Sequence, residues 1–127
     1  MATENDVRRI VRSLPETEES EERFAFGVMN KGKVKGMVWV WMERVDPKKA
    51  RVPKRGVVAI RTATLEQRDA LLASDPSQKK FFTEPHYAGF PAVLVHLAAI
   101  AKAELTELIR QAWRSQAPKA LAKELEP

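Results

Sequence analysis

Apolar residues near the N-terminus recur at the spacing of one helix face. Positions i, i+3, i+4 and i+7 predict an amphipathic helix, and they are occupied by Val7, Ile10, Val11 and Leu14. Thr3 stands where an N-cap is expected, with Asp6 three residues later in a near capping box. Pro15 ends this helix, because a proline moves the residue before it out of helical geometry.

Two more helices are predicted further along the chain. Thr64 and Gln67 fit the capping-box pattern at the start of one, and Asp75-Pro76 closes it. The other is predicted over residues 102–114. Its apolar stripe is Leu105, Leu108, Ile109, Ala112 and Trp113.

Between the helices the chain has the pattern of β-strands, with alternating or continuous apolar residues. Strands are predicted over residues 23–28, 33–44, 56–62, 79–83 and the first part of 92–100. The intervening segments are predicted to be turns or loops. They are the Asn30 to Gly32 turn, residues 16–22 with five glutamates, residues 45–54 rich in Lys, Arg and Pro, and residues 84–91.

The strand over residues 33–44 is the longest, and its alternation assigns two faces. Val34, Val38, Val40 and Met42 are expected to face the core. The opposite face is expected to be amphipathic and aromatic, and to carry Lys33, Lys35, Trp39, Trp41 and Glu43.

This order of elements predicts an α+β fold. We expect one twisted antiparallel sheet of about five strands, with helices at both ends of the chain packed mainly on one face. The 127 residues suit a single domain with a core over about residues 3–115. Residues 116–127 are expected to form a short helical tail that begins at Pro118 and carries Leu121 and Leu125.

Composition indicates a basic globular protein whose charge is uneven. The formal net charge is +5, yet residues 1–30 carry −3, residues 31–61 carry +8 and residues 62–127 carry 0. A local excess of this kind attracts polyanions. The longest apolar run is too short to span a bilayer, and the acidic N-terminus does not fit a secretory signal. A cytoplasmic location without membrane contact is therefore expected.

Enzyme signatures are missing from the chain. It has no cysteine, no glycine-rich phosphate loop and no nucleophile elbow. His86 and His96 have no neighbouring carboxylates in a metal-ligand pattern. His96 lies in an apolar strand, where a structural role is expected, whereas His86 lies in a loop beside Tyr87. We therefore expect no catalytic residue, no metal and no cofactor.

Lysines and arginines of the second and third strands, and of the loop between them, are expected to form one basic hairpin. Such a hairpin would lay its cations along a phosphate backbone. Trp39 and Trp41 would either stack on bases or pack in the core. The expected contact set is Lys33, Lys35, Lys48, Lys49, Arg51, Lys54, Arg55, Trp39 and Trp41, with Lys31 in the same cluster. Alternatively, the lysines only keep an edge hairpin from pairing with another sheet.

A second hypothesis comes from a different class of protein. Trp39, Trp41, His86 and Tyr87 would line a cleft for a small ligand or a protein segment. An exposed tryptophan face would also serve as a dimer contact, so the oligomeric state stays open.

Several stretches together resemble the MmcQ/YjbR family of small bacterial proteins. They are LPETEESEE after the first helix, GKVKGMVWVW, VVAIRT, FFTEPHYAGFPAVLVHL, and the final helix up to Ala112-Trp113-Arg114. The resemblance implies an α+β domain with an antiparallel sheet, likened to a double-wing DNA-binding module. It carries over no catalytic residues, and the DNA-binding description of the family rests on fold analogy. DNA is the expected partner, with low sequence specificity. Residues 45–54 depart from the pattern, since this loop is longer and more basic than a minimal member of the family would need. The departure favours either contact with a polyanion or merely an extended surface loop.

Overall fold

A computed structural model describes residues 1–124, and all helices and strands below lie within that range. In chain order they are α1 (Glu4–Arg12), β1 (Thr17–Glu19), β2 (Ala25–Asn30), β3 (Lys33–Glu43), β4 (Val52–Arg61), α2 (Leu65–Ala73), β5 (Phe81–Phe82), β6 (Ala92–His96), α3 (Lys102–Gln116) and α4 (Lys119–Glu124). Single turns of 3-10 helix cover Pro85–Tyr87 and Leu97–Ala99.

The strands form one antiparallel sheet in the order β1-β2-β3-β4-β6-β5. The predicted α+β class is therefore confirmed, with six strands rather than about five. The additional strand is β1, in the segment predicted to be a loop. Its Glu19 is held by Arg8 at 3.0 Å and Arg12 at 3.3 Å from α1. These ion pairs hold a charged, non-alternating segment at the sheet edge, and they also lower the pKa of Glu19, chiefly through the Arg8 hydrogen bond.

The N-terminal helix begins with the predicted capping box. The Asp6 amide donates to Thr3 Oγ1 at 3.2 Å, and the Thr3 amide donates to Asp6 Oδ2 at 2.9 Å. These bonds satisfy free N–H groups at the helix start, and the bond from the Thr3 amide lowers the pKa of Asp6. The helix ends at Arg12, and Leu14 follows in a turn.

The helices bury one face of the sheet, which we call the helix face. Its aliphatic core joins Val7 and Val11 of α1 to Leu105 and Ile109 of α3, over strand residues such as Val58. Within the core, Trp113 is fully buried, and its indole N–H donates to the Pro15 carbonyl at 2.9 Å. The predicted stripes of both helices thus meet above the sheet.

A β-bulge at Met37 interrupts the side-chain alternation of β3. Side chains before the bulge therefore lie on the opposite face of the sheet from the one that the alternation predicted. Phe26 pairs with Val38 but Gly27 pairs with Gly36, so Met37 is an extra residue on β3. Met37 and Val38 are both fully buried in the core under the helices.

The reversal corrects the predicted facing on the N-terminal side of the bulge. Lys35 pairs with the buried Val28, and directly paired residues point to the same side of a sheet, so Lys35 and Lys33 lie on the helix face. Val34, predicted to be in the core, is 52% exposed on the other face. The expectation that Lys33 and Lys35 share a face with Trp39 and Trp41 is therefore wrong.

The other side of the sheet, called here the aromatic face, is covered by residues 84–91 instead of a helix. Trp39 pairs with Ala59, and Ala59 pairs with Leu94, which pairs with Phe82. Phe82 stacks on the His96 ring at 4.6 Å between centroids and meets Trp41 edge-on at 5.3 Å. The structural role expected for His96 is consistent with this stacking.

The predicted tail helix is present as α4, which starts directly after Pro118. Leu121 packs against the core under the helices, and Leu125 lies outside the described residues. Among residues 1–124, no helix has the length and apolar character needed to cross a membrane.

Candidate nucleic-acid interface

The predicted basic hairpin is two separate clusters at opposite ends of β3. The Lys31-Gly32 turn comes immediately before this 11-residue strand, and the 44–51 loop follows the strand. An extended strand of this length spans about 30 Å. Lys33 and Lys35 are therefore far from Lys48 and Lys49, and the expectation of a single cluster is wrong.

The predicted contact residues after β3 differ in exposure and in whether their charge is paired within the protein. Arg51 donates to the Met42 carbonyl at 2.8 Å and forms an ion pair with Glu84 at 3.0 Å. Its guanidinium thus ties the 44–51 loop to the segment that covers the aromatic face. Lys48, Lys49, Lys54 and Arg55 are exposed.

Backbone contacts shape this second cluster. Arg44 donates to the Lys49 carbonyl at 3.0 Å, and Asp46 accepts the Lys48 amide at 2.9 Å, so the loop closes on itself. Arg55 lies in an irregular stretch of β4, beside Glu4 at the start of α1. A carboxylate beside it weakens Arg55 as a phosphate contact.

The other cluster lines a groove of about 880 Å³ between the β2–β3 turn and the junction of α3 with α4. We call it the basic groove. Its cationic residues are Lys31, Lys33, Lys35, Arg114 and Lys119, and no acidic residue lines it. Among the described residues none of these five side chains has an ion-pair partner, so all five charges are available to a ligand.

Local backbone geometry sets the shape of the groove. Lys31 and Gly32 have φ values of 53° and 79°, as the two central residues of a tight hairpin turn require. Asn30 Nδ2 donates to the Gln116 carbonyl at 2.8 Å, and Gln116 Nε2 donates to the Gly36 carbonyl at 3.2 Å. The end of α3 is thereby fixed against the hairpin.

Sequence reasoning missed Arg114 and Lys119 as members of this cluster. They are about 80 residues from the hairpin in the chain, and each stands alone among neutral neighbours. Only the packing of α3 on the helix face brings them to Lys33 and Lys35. No local pattern in the sequence carries that information.

The tryptophans lie apart from the basic groove, on the aromatic face. Trp39, His86, Tyr87 and Phe90 line a cleft of about 260 Å³, which we call the aromatic cleft. Trp41 is not part of it, because its ring packs against Phe82. The Trp41 indole nitrogen is buried with no hydrogen-bond partner among the described residues.

Arg68 of α2 holds the segment that forms the outer wall of the aromatic cleft. Its Nη1 lies within hydrogen-bond distance of the carbonyls of Tyr87 (2.8 Å), Ala88 (3.0 Å) and Phe90 (3.3 Å). This buried arginine has no recognisable sequence signal, because its helix shows no clear apolar stripe around it.

No three His, Asp or Glu side chains in residues 1–124 are grouped so that they could hold a metal ion. The described fold and the two surfaces define a small α+β protein with an open antiparallel sheet, a basic groove on one face and an aromatic cleft on the other.

Comparison with known proteins identifies the family. The YjbR family model matches residues 12–115, and the chain belongs to this family, as the sequence resemblance indicated. The uncharacterized protein Rv2570 of Mycobacterium tuberculosis and the uncharacterized protein Mb2600 of Mycobacterium bovis are each 38% identical over 128 residues. Each alignment covers 95% of this chain and 93% of the relative. No solved structure matches the chain.

Proposed function

We propose that the protein is a non-enzymatic DNA-binding domain that contacts duplex phosphates through the basic groove. The observation that carries the proposal is the set of five cationic residues lining one groove, with no acidic residue among the lining. Lysine and arginine beside phosphates release condensed counterions, which favours binding without reading sequence.

The geometry of the groove supports contact with a phosphate backbone. The hairpin turn and the end of α3 are bridged through Asn30 and Gln116, so Lys33, Lys35 and Arg114 are held near one another before a ligand arrives. Preorganised cations lose less conformational entropy on binding than cations on a free loop.

Lys48, Lys49 and Lys54 provide a second, weaker contact. Lys48 and Lys49 lie beyond the far end of β3, about 30 Å along the strand from Lys35 and close to one turn of duplex DNA. Lys54 lies nearer, because its neighbour Pro53 pairs with Met42. A duplex longer than one turn would therefore reach both clusters, whereas a shorter one would reach only the groove.

Low sequence specificity follows from the groove lining. Base readout requires polar side chains placed in a DNA groove, commonly from the start of a recognition helix. The lining from α3 comes from its C-terminal turn, with Arg114 and Ser115. These residues and the hairpin lysines suit phosphate contacts, which position a protein without specifying bases.

The test is fluorescence anisotropy with a labelled random duplex of ~20 base pairs at several salt concentrations. Neutralising about five phosphates gives a log–log salt slope of about −4 to −5. In Lys33→Gln/Lys35→Gln, affinity should fall at least tenfold and the slope should become shallower by about 2.

The matched control is Lys48→Gln/Lys49→Gln, which removes the same charge from the other end of β3. It should lower affinity much less than the groove variant. Equal losses in the two variants would show that net charge alone drives binding. Absence of binding at low salt would overturn the proposed function itself.

A further inference from the structure

The aromatic cleft exposes more aromatic surface than the packing of the fold needs. Phe90 is 39% exposed and His86 is exposed, although both lie beside the half-buried rings of Trp39 and Tyr87. Clustered exposed aromatic rings beside a concavity are typical of a binding site rather than of a structural core.

The rings of the cleft meet at steep angles, so they do not stack face to face on one another. Trp39 and Phe90 are 6.0 Å apart at 70°, Tyr87 and Phe90 are 6.3 Å apart at 60°, and His86 and Tyr87 are 5.4 Å apart at 86°. Edge-to-face contacts of this kind leave ring faces for a planar guest.

The cleft also has unused hydrogen-bonding capacity. Trp39 Nε1 donates to Tyr87 Oη at 3.2 Å, which uses the hydroxyl as an acceptor and leaves its proton free. Within residues 1–124 no side-chain hydrogen bond uses that proton or either ring nitrogen of His86. A guest with ring nitrogen acceptors would therefore find a donor in Tyr87 and a donor or acceptor in His86.

Charge around the cleft selects against a cationic guest. No carboxylate lines it, and the Arg61 guanidinium lies 5.0 Å from the centroid of the Phe90 ring. Aromatic sites bind cations through the negative potential at the ring faces. At Phe90 the Arg61 guanidinium already makes this cation–π contact. The surroundings therefore suit a planar guest that carries no positive charge, such as a neutral ring.

From these contacts we propose that the aromatic cleft binds a neutral, planar nitrogen heterocycle of the nucleobase type. Trp39 stacks face to face on the guest, and Phe90 contacts it edge-on, because the Phe90 ring is tilted by 70° from Trp39 and by 60° from Tyr87. The Tyr87 hydroxyl and His86 hydrogen-bond to the edge of the guest. Arg68 is a positioning residue, because it holds the carbonyls of Tyr87 and Phe90 without touching the guest. The site is independent of the proposed DNA binding, because it lies on the opposite face of the sheet from the basic groove.

The experiment uses adenosine as the probe, because this nucleoside has a base and no phosphate. Titration into the full-length ¹⁵N-labelled protein is followed through the three tryptophan indole N–H signals. The signal that disappears in Trp39→Phe should shift saturably with adenosine, and the buried Trp113 signal should not. Ribose alone should move neither signal.

Two variants test the roles of individual rings. Phe90→Ala should weaken adenosine binding about fivefold through the lost edge-to-face contact, and Tyr87→Phe should weaken it about five- to tenfold while keeping the ring. Trp41→Phe is the matched control, since this neighbouring tryptophan packs on Phe82 outside the cleft, and its affinity should equal that of the unmodified protein.

Two results would overturn the site. One is a Trp39 signal that does not move at millimolar adenosine. The other is a loss in Trp41→Phe as large as that in Phe90→Ala. Either result can occur while the duplex still binds to the basic groove, and adenosine binding can persist when duplex binding fails, so the two proposals are tested separately.

Discussion

The two faces of the sheet carry different kinds of side chain and are covered by different segments of the chain. On the helix face, mainly aliphatic side chains of α1, α3 and the strands form a closed core, with Val7, Leu105 and Ile109 fully buried. On the aromatic face, rings such as Trp39 and Phe82 stay half-buried under a short non-repetitive segment. That segment is held by polar contacts, chiefly the Arg68 bonds and the Trp39–Tyr87 hydrogen bond.

The difference teaches which face stabilises the fold and which is available for recognition. Close aliphatic packing supplies stability through burial and leaves no room for a ligand. Aromatic rings with polar atoms tolerate partial exposure and keep hydrogen-bonding capacity for a partner. We therefore expect substitutions on the helix face to affect unfolding most, and substitutions on the aromatic face to affect binding most.

The largest expected effect comes from a cavity in the helix-face core. Ile109→Ala removes a fully buried side chain and should lower the free energy of unfolding by about 2–5 kcal/mol. Phe90→Ala, on the aromatic face, should lower it by only about 1 kcal/mol, because much of that ring already contacts water. Urea denaturation followed by circular dichroism measures both values. Equal losses would contradict the assigned division between the faces.

The next effect tests the close strand approach at the start of β3. A Cβ at Gly27 would lie 2.5 Å from Val34 Cγ1 and 2.7 Å from the Lys35 carbonyl oxygen. Gly27→Ala should therefore destabilise the protein by about 1–3 kcal/mol. At Gly36 the nearest atom, on the Trp39 ring, would be 3.5 Å away, so Gly36→Ala should change stability by less than about 0.5 kcal/mol. Thermal denaturation of the two variants measures both effects. A larger loss of stability in Gly36→Ala than in Gly27→Ala would contradict the close approach at Gly27.

A smaller effect is expected from the arginine that closes the aromatic face. Arg68→Met keeps side-chain length but removes the donors to three carbonyls. The loss should be about 1–2 kcal/mol, because the exposed segment lets water replace part of the bonding. Amide hydrogen exchange at residues 87–90 should accelerate, whereas exchange in α3 should not. Arg110→Met, an exposed arginine on α3, is the control and should change neither.

The smallest expected effect is a pH dependence of stability at β5. This strand places Phe81 on the helix face and Phe82 on the aromatic face. Asp75 Oδ2 accepts the Lys80 and Phe81 amides at 2.7 and 2.9 Å, and these bonds, Phe81 first, lower the pKa of Asp75 below its usual 3.8. A carboxyl whose pKa is lowered by folding stabilises the folded state above its unfolded pKa. That stabilisation is lost as the pH falls through 3.8 and the folded value.

Asp75→Asn should therefore be less stable than the unmodified protein at neutral pH. The difference should shrink as the pH drops below 3.8. Urea midpoints of both proteins across that range measure it. A difference that stayed constant with pH would show that the ionisation of Asp75 is not coupled to folding.

Local patterns in the sequence predicted most of the fold. The Thr3–Asp6 capping box spans three residues, and the α3 stripe from Leu105 to Trp113 repeats within one helix, so each is complete in its own segment. The concentration of positive charge in residues 31–61 was also visible, but its division into two clusters follows from the 11-residue length of β3.

What the sequence determined by itself is the set of helices, most of the strands, the α+β class, and the family membership that its motifs indicated. The tertiary structure alone decided which faces and surfaces they form. One inserted residue at Met37 shifts the alternation of β3, and its position depends on pairing with β2. Arg114 reaches Lys33, and Arg68 reaches Phe90, only through packing between distant segments. Periodicity reports a face within one element, whereas a site between elements depends on long-range contacts that no local pattern encodes.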